Sequence, residues 1–355
     1  MEIVVVTCIA SPYQVELFDA LASHVRLRAV YVASNDASRH WELPPLRHES
    51  LFLDHGDRAH RTFVEWINKA DFVVFSDYQS SRVREAMARR EAAVKPWCFW
   101  GERLGFRRYG LLGSIYRRVR LNTLHRSKAP IWGIGSWALE SYQREFGHDR
   151  RYFNVPYFSS LERFCNTSAR QASRPGIAGI LYSGSLSARK GVDLLARAFH
   201  RLTSEISDVS LSIVGDGPLR RSMERELRPV SDKVAFHGFT QWEDLPRHYG
   251  SADILCVPSR YDGWGLVVPE GLASGLPVIA TSAMGSAIDL IRPGINGWRI
   301  PPSDEEALLQ ALRDAVTMDS ARWQEMSLAA TRTAAGHSLA AGTIRFLDAV
   351  RGSLA

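Results

Sequence analysis

Cysteine is scarce in this chain. Cys8, Cys98, Cys165 and Cys256 stand far apart, with no Cys-x-x-Cys pair. Nothing here frames a disulfide scaffold or a zinc ribbon, and the four read as buried small hydrophobes. Long apolar runs are also missing; none approaches the roughly 20 residues that cross a bilayer. Met1-Glu-Ile-Val-Val-Val6 carries no basic stretch and reads directly as a first strand, so a secretory leader is not expected. Asn166-Thr-Ser168 fits a glycosylation acceptor, which in a reducing compartment is a chance match. The sequence shows no Ser-His-Asp arrangement, no metal-ligand spacing and no evident pair of catalytic carboxylates. It has no internal repeat at solenoid periods.

What is present is a soluble globular composition, with 45% hydrophobic and 23% charged residues over 355 positions. That length suffices for two domains, each with its own core. Apolar strands alternate with helical stretches, the pattern of a doubly wound parallel sheet. The first half predicts strands at 3–7, 27–32, 72–76, 97–100, 131–134 and 152–155, and helices near 15–24, 81–93, 111–124 and 137–146. A polar, aperiodic stretch at 166–176 reads as a linker. The alternation then restarts, with strands at 179–183, 210–214, 234–236, 254–257, 277–280 and 297–300. Helices are expected near 191–202, 219–227, 242–249, 268–273 and 287–291, and the chain looks helical after Asp304. The predicted fold class is α/β, two Rossmann-like domains facing across a cleft.

Charge is uneven. The formal net charge is +6, yet positions 82–128 hold thirteen Lys and Arg against three acids, a local balance of +10 that leaves −4 for the rest. A basic surface so confined points to a localised anionic partner.

The most informative stretch is Ser259-Arg-Tyr-Asp-Gly-Trp-Gly-Leu-Val-Val-Pro-Glu-Gly271, in which seven residues separate Asp262 from Glu270. A strand precedes it and a helix follows. Amide groups at such a helix start lack partners and sit at the positive end of the dipole, which suits an anion. Gly263 and Gly265 allow close approach of backbone to a ligand. Glu270, one turn into the helix, suits hydroxyl groups beside the phosphate, such as those of a ribose. Phosphate and sugar together suggest a nucleotide-sugar, while an ordinary strand-loop-helix corner is the plain alternative.

These residues resemble the acid-x7-Glu signature of the family 4 retaining glycosyltransferases, which have the two-domain GT-B fold. The resemblance extends through Tyr182-Ser-Gly-Ser-Leu-Ser-Ala-Arg-Lys-Gly-Val-Asp193, Ile213-Val-Gly-Asp-Gly-Pro-Leu219 and Phe236-His-Gly-Phe239, in family order. In the N-terminal half it covers general architecture only. The domains expected are 1–165 and 177–336, joined by the linker 166–176, and the resemblance implies that a closing helix at 337–355 crosses back to the N-terminal domain. It further implies that Lys190 contacts the diphosphate of a nucleotide-sugar donor from the loop that starts at Gly184. The arginine that similar enzymes carry after the first glycine is here Ser185, and Arg189 is the candidate substitute, although adjacent residues on a helix point in different directions. Gly215, Asp216 and Gly217 would line the nucleotide pocket, and His237 and Phe239 the loop that holds the base. Asp262 stands where the family usually has Glu; Gly263, Trp264, Gly265 and Leu266 complete the donor loop.

The reaction implied is hexosyl transfer with retention, by front-face substitution, without metal or other cofactor. Lys190, Asp262 and Glu270 are the residues expected to carry it, with cation and dipole stabilisation of the leaving diphosphate. The expected acceptor is a glycan or lipid-linked glycan in polysaccharide biosynthesis, and no nucleic acid partner is expected. On the acceptor side, Asp77 and Glu102 sit at strand ends and either bind hydroxyls or cap helices. Leu111, Leu112, Ile115, Tyr116 and Val119 form one helical arc, which a Rossmann helix would dock on its sheet with its arginines in water. The charge density of 103–125 beside it suggests an anionic membrane surface, and hence a cytoplasmic protein peripheral to the inner face of a membrane. Two alternatives stay open: a soluble transferase acting on a small molecule, and a non-catalytic partner subunit of the same fold.

Overall fold

Seven short strands build the first sheet. The computed structural model describes residues 1–34, 43–104, 110–165 and 178–355, and of Gly110 and Leu111 the backbone alone. The expected linker at 166–176, the Asn166 acceptor, Arg107, Arg108 and the Leu111 side chain lie outside the described residues. Contacts divide the chain into unit 1, Met1–Ser159 with Leu339–Ala355, and unit 2, Ser160–Ser338.

Unit 1 holds β1 (Glu2–Ile9), β2 (Arg26–Ala33), β3 (Glu49–Phe52), β4 (Phe72–Phe75), β5 (Trp97–Gly101), β6 (Ile131–Gly133) and β7 (Tyr152–Asn154). All pair in parallel, in the order β3-β2-β1-β4-β5-β6-β7. The helices are α1 (Pro12–Ala22), α2 (Asp57–Lys69), α3 (Ser81–Ala92), α4 (Gly110–Arg120), α5 (Asn122–Arg126) and α6 (Ser136–Phe146). Continuous apolar strands such as Ile3–Val6, fully buried, fit a parallel sheet covered on both faces. Pro12 opens α1, where its missing N–H costs nothing. Within unit 1 the Trp132 indole donates to Ser353 Oγ at 3.0 Å, and Phe346 meets Trp132 and Trp100 edge-on.

Unit 2 begins with α7 (Glu162–Cys165). Its strands are β8 (Ala178–Ser183), β9 (Val209–Val214), β10 (Val234–Gly238), β11 (Ile254–Val257), β12 (Val278–Thr281) and β13 (Gly297–Ile300). They form a second parallel sheet, ordered β10-β9-β8-β11-β12-β13. The helices are α8 (Val192–Thr203), α9 (Arg220–Glu226), α10 (Leu245–Ser251), α11 (Val267–Ala273), α12 (Gly285–Leu290), α13 (Glu305–Val316) and α14 (Ser320–Ala335). Asp304 and Asp319 cap α13 and α14 by accepting from the amides of Ala307 and Arg322. The closing helix of the chain, α15 (Leu339–Leu354), belongs to unit 1.

Several expectations need correction. The stretch read as one helix over 111–124 is two, α4 and α5, interrupted at Leu121. The apolar arc of α4 does not dock on the sheet. Leu112, Ile115, Tyr116 and Val119 are all exposed. Cys98 and Cys256 are buried as expected, but Cys8 and Cys165 are exposed. Strand β3 and helix α2 were not read from the sequence. Glu49-Ser-Leu-Phe52 is a half-buried edge strand with no apolar run to announce it.

Candidate functional site

In an open parallel sheet, ligands bind beyond the carboxyl ends of the strands, where the order reverses direction. In unit 2 that point lies between β8 and β11, which neighbour each other through Ile254↔Ile180 and Leu255↔Leu181. The Gly184–Gly191 loop leaves β8 and the Asp262 motif leaves β11. The two sequence motifs therefore flank the switch point.

The loops are closed against each other by named bonds. Arg260 N donates to Arg189 O at 2.8 Å, and Arg189 Nη1 returns a bond to Tyr261 O at 3.1 Å. The Arg260 guanidinium donates to Ala188 O at 2.6 Å and grips Asp193 with two bonds of 2.6 and 2.7 Å. Gly191 has φ 69° and passes the β11 loop so closely that a Cβ would lie 2.0 Å from Pro258 O. Arg260 escaped the sequence reading because it lies 67 residues from Asp193, and opposite charges at that distance in sequence signal nothing.

Lys190 Nζ donates to Asp262 Oδ2, and Arg189 Nη1 lies 3.7 Å from Asp262 Oδ1. Sequence reasoning expected Arg189 and Lys190 to diverge as helix neighbours. They nonetheless meet at Asp262, one at each carboxylate oxygen, from the single 3₁₀ turn Ala188–Lys190 that precedes the α-helix starting at Val192. Lys190 and Asp262 are mostly buried and Arg189 is half exposed. Ser185 places its carbonyl on the Tyr182 hydroxyl at 2.8 Å and its own hydroxyl 3.3 Å from Ser187 Oγ.

Glu270 lies in the first turn of α11, after Leu266 at its N-cap. Its Oε2 accepts from the hydroxyl of Tyr249 on α10 at 2.9 Å. Tyr249 is buried, and desolvation together with the Glu270 charge pushes its phenol well above the ordinary value. The carboxylate therefore accepts a full proton donor at any physiological pH. Tyr249 was seen in the sequence as part of a helix and given no role.

The neighbouring loops complete the rim. Gly215, φ 131°, would place a Cβ 1.9 Å from Gly184 O, so its close approach is first of all to the β8 loop. Its amide donates to Gly238 O at 2.7 Å. Asp216 is exposed and accepts from the Gly217 amide at 2.7 Å. His237 is exposed, with its ring 4.5 Å from that of His248, whose pKa is held down by burial and by the His237 and Arg247 charges. Phe239 is exposed at the same rim. Trp264 is buried, with its ring stacked on His337, while its carbonyl accepts from Ser286. Gly263 is buried beside it, and Asp262 Oδ2 lies against Gly265. The donor-side candidates thus stand at the carboxyl ends of β8, β9, β10 and β11 and in the segments that follow them, with His237 on β10 itself and Glu270 on α11.

Asp77 and Glu102 belong to unit 1. Asp77 is buried and accepts from the amides of Gln79 and Ser80 at 3.2 and 2.9 Å, ahead of α3, with Cys8 Sγ 3.4 Å away. Glu102 is exposed, and its carbonyl accepts from Tyr142 at 2.8 Å. Among the described residues there is no cluster of three metal-ligating side chains.

Residues 178–318 match the family described as glycosyl transferases group 1. The chain is 26% identical over 260 residues to the alpha-D-kanosaminyltransferase of Streptomyces kanamyceticus, covering 71% of this chain and 62% of that one. It is 27% identical to the GDP-mannose-dependent alpha-(1-6)-phosphatidylinositol monomannoside mannosyltransferase of Mycolicibacterium smegmatis, over 56% and 55% of the two chains. The matched stretch thus spans little more than half of each of these relatives. Among solved structures, Anabaena HepE in complex with UDP superposes with TM-score 0.79 at 14% identity, over 99% of this chain and 100% of that one. The fold is that of the GT-B glycosyltransferases, two Rossmann-like parallel-sheet units.

Proposed function

We propose that the chain transfers a hexosyl-type sugar from a nucleoside diphosphate-sugar to a glycan or lipid-linked acceptor, with retention and without a metal, in polysaccharide biosynthesis. The same reading places it peripherally on the inner face of a membrane. The observation that carries it is the Lys190–Asp262 pair at the β8–β11 switch point, with Arg189 beside it. Relatives named as GDP-mannose-dependent and a fold-mate solved with UDP support a nucleotide-sugar donor.

In this reading the donor diphosphate takes over Lys190 from Asp262 and meets Arg189 at the loop's edge. Asp262, released, accepts from sugar hydroxyls, and Glu270, held by Tyr249, accepts from the ribose. The bond from the anomeric carbon to the diphosphate oxygen breaks, and the electron pair leaves with phosphate. The acceptor hydroxyl attacks the same face and gives its proton to that departing oxygen. Lys190 and Arg189 stabilise the charge that develops on the leaving group. No general base is assigned. Ser185, an uncharged residue at the leaving-group loop, favours one competing reading, a non-catalytic subunit of the same fold.

Thermal-shift titration with UDP-, GDP- and dTDP-sugars tests the donor site, because a ligand that binds the native state raises the melting temperature by mass action. One nucleotide class should stabilise the protein, and donor turnover should give product with the anomeric configuration kept. No shift with any donor would overturn the reading; a shift without transfer or donor hydrolysis would favour the non-catalytic one.

A further inference from the structure

Helix α4 is built inside out. Its inward side carries Gly113, which is buried, and Arg117, followed beyond the helix end by buried Leu121. Arg117 reaches Glu145 with Nη2 at 3.3 Å from Oε2, so a cation occupies the side where a Rossmann helix normally sets its apolar residues. The aliphatic side chains face out. Leu112, Ile115, Tyr116 and Val119 recur at i, i+3, i+4 and i+7 and are 74%, 60%, 41% and 69% exposed. Single exposed apolar residues need no explanation, but four on one stripe do.

The rim of the stripe is basic. Arg120 holds its guanidinium 5.2 Å over the Tyr116 ring and donates to Gln79 O at 3.3 Å. Arg118 is exposed on the other flank, and Arg126 is exposed on α5. No Asp or Glu occurs from 110 to 128. No helix among the described residues is long and apolar enough to cross a membrane. An apolar stripe one helix long, edged by arginines and without acids, has the chemistry of an element that lies in the lipid headgroup layer.

We propose that α4 is the membrane-contact element of this protein, with Leu112, Ile115 and Val119 inserted among acyl chains and Arg118, Arg120 and Arg126 at anionic headgroups. The occupant is an anionic lipid bilayer. The basic rim selects it over a second copy of the chain, whose identical rim would meet arginine with arginine. This deepens the peripheral placement proposed above and rests on it, while donor binding is a separate property of unit 2.

The test is co-sedimentation of the full chain with phosphatidylglycerol-containing vesicles and with pure phosphatidylcholine vesicles. Binding should require the anionic lipid and weaken with salt. Ile115→Glu combined with Val119→Glu should reduce it roughly tenfold or more, and Arg118→Glu should reduce it by a smaller factor. Both variants should keep the donor-induced thermal shift, which shows that they fold and that unit 2 is intact. Absence of vesicle binding by the parent protein, or binding unchanged in the double variant, overturns the proposal. So does a stable dimer in solution that the double variant dissociates, since the stripe would then be covered by another copy.

Discussion

Arg260 and Asp193 form a two-point ion pair, Nη1 to Oδ1 at 2.6 Å and Nη2 to Oδ2 at 2.7 Å, that ties the β11 loop to the first turn of α8. The guanidinium hydrogen bonds hold the Asp193 carboxyl below the usual carboxylate range. Because both side chains are about a third exposed, the pair adds little to global stability. Its consequence is local: it fixes the spacing of the loops that present Lys190 and Asp262. Arg260→Ala should therefore lower stability by about 1 kcal/mol or less in chemical denaturation. The donor KM should rise roughly tenfold in the same variant. Arg260→Lys should recover little, because one ammonium does not reproduce a planar fork. The stability contribution of Asp193 should be present at neutral pH and lost as pH falls below its ordinary value of 3.8.

Lys190 and Asp262 should separate in mutagenesis, although they are paired in the ligand-free site. Lys190→Ala should reduce kcat/KM roughly a hundredfold or more and abolish the thermal shift from a nucleoside diphosphate. Asp262→Asn should keep the shift from the free nucleoside diphosphate, since Lys190 remains, while losing that part contributed by the sugar. Equal loss of both shifts in the two variants would show that Asp262 acts only by holding Lys190.

Tyr249→Phe removes the hydroxyl that donates to Glu270. A buried hydrogen bond to a charged group contributes about 1–3 kcal/mol, so urea denaturation should register a loss in that range. The donor KM should increase while kcat changes less, because Glu270 is assigned to the ribose and not to the leaving group.

His48 reports on unit 1. Its Nδ1 lies 2.6 Å from Asp19 Oδ1 and its Nε2 2.8 Å from the Tyr31 hydroxyl. Burial lowers its pKa below the ordinary 6.5, outweighing the hydrogen bond and charge of Asp19, which raise it. A folded pKa below the unfolded one means that the unfolded chain binds the extra proton first. Stability should consequently be complete above pH 6.5 and fall as pH drops through that value. Denaturation curves at stepped pH should show this slope, and His48→Gln should flatten it relative to the parent. A parent protein equally stable on both sides of pH 6.5 would contradict this account.

Much of the architecture was legible in the residues. The six strands of the second sheet match the predicted segments because each carries apolar residues in a short run or in alternation, as in Val209-Ser-Leu-Ser-Ile-Val214. In unit 1, the alternation signalled six of the seven strands. Helix α2 was missed although Ala59, Phe63, Trp66 and Ile67 recur at helical spacing and are buried together, a pattern that was there to be found. The glycine loops and the two motif cations were also legible. What they do to one another was not: Tyr249 and Glu270 are 21 positions apart, and Lys190 and Asp262 are 72.

The sequence by itself determined the alternating elements, the parallel sheets and the types of residue gathered at the strand ends, because these depend on local period and turn chemistry. Only the tertiary structure decided that Arg189 and Lys190 point the same way, that Arg260 clamps the two loops, and that the aliphatic arc of α4 faces outward. A helical period states that an apolar face exists, but its direction depends on which neighbour packs against the opposite side. Here Gly113, Arg117 and Leu121 fill that place.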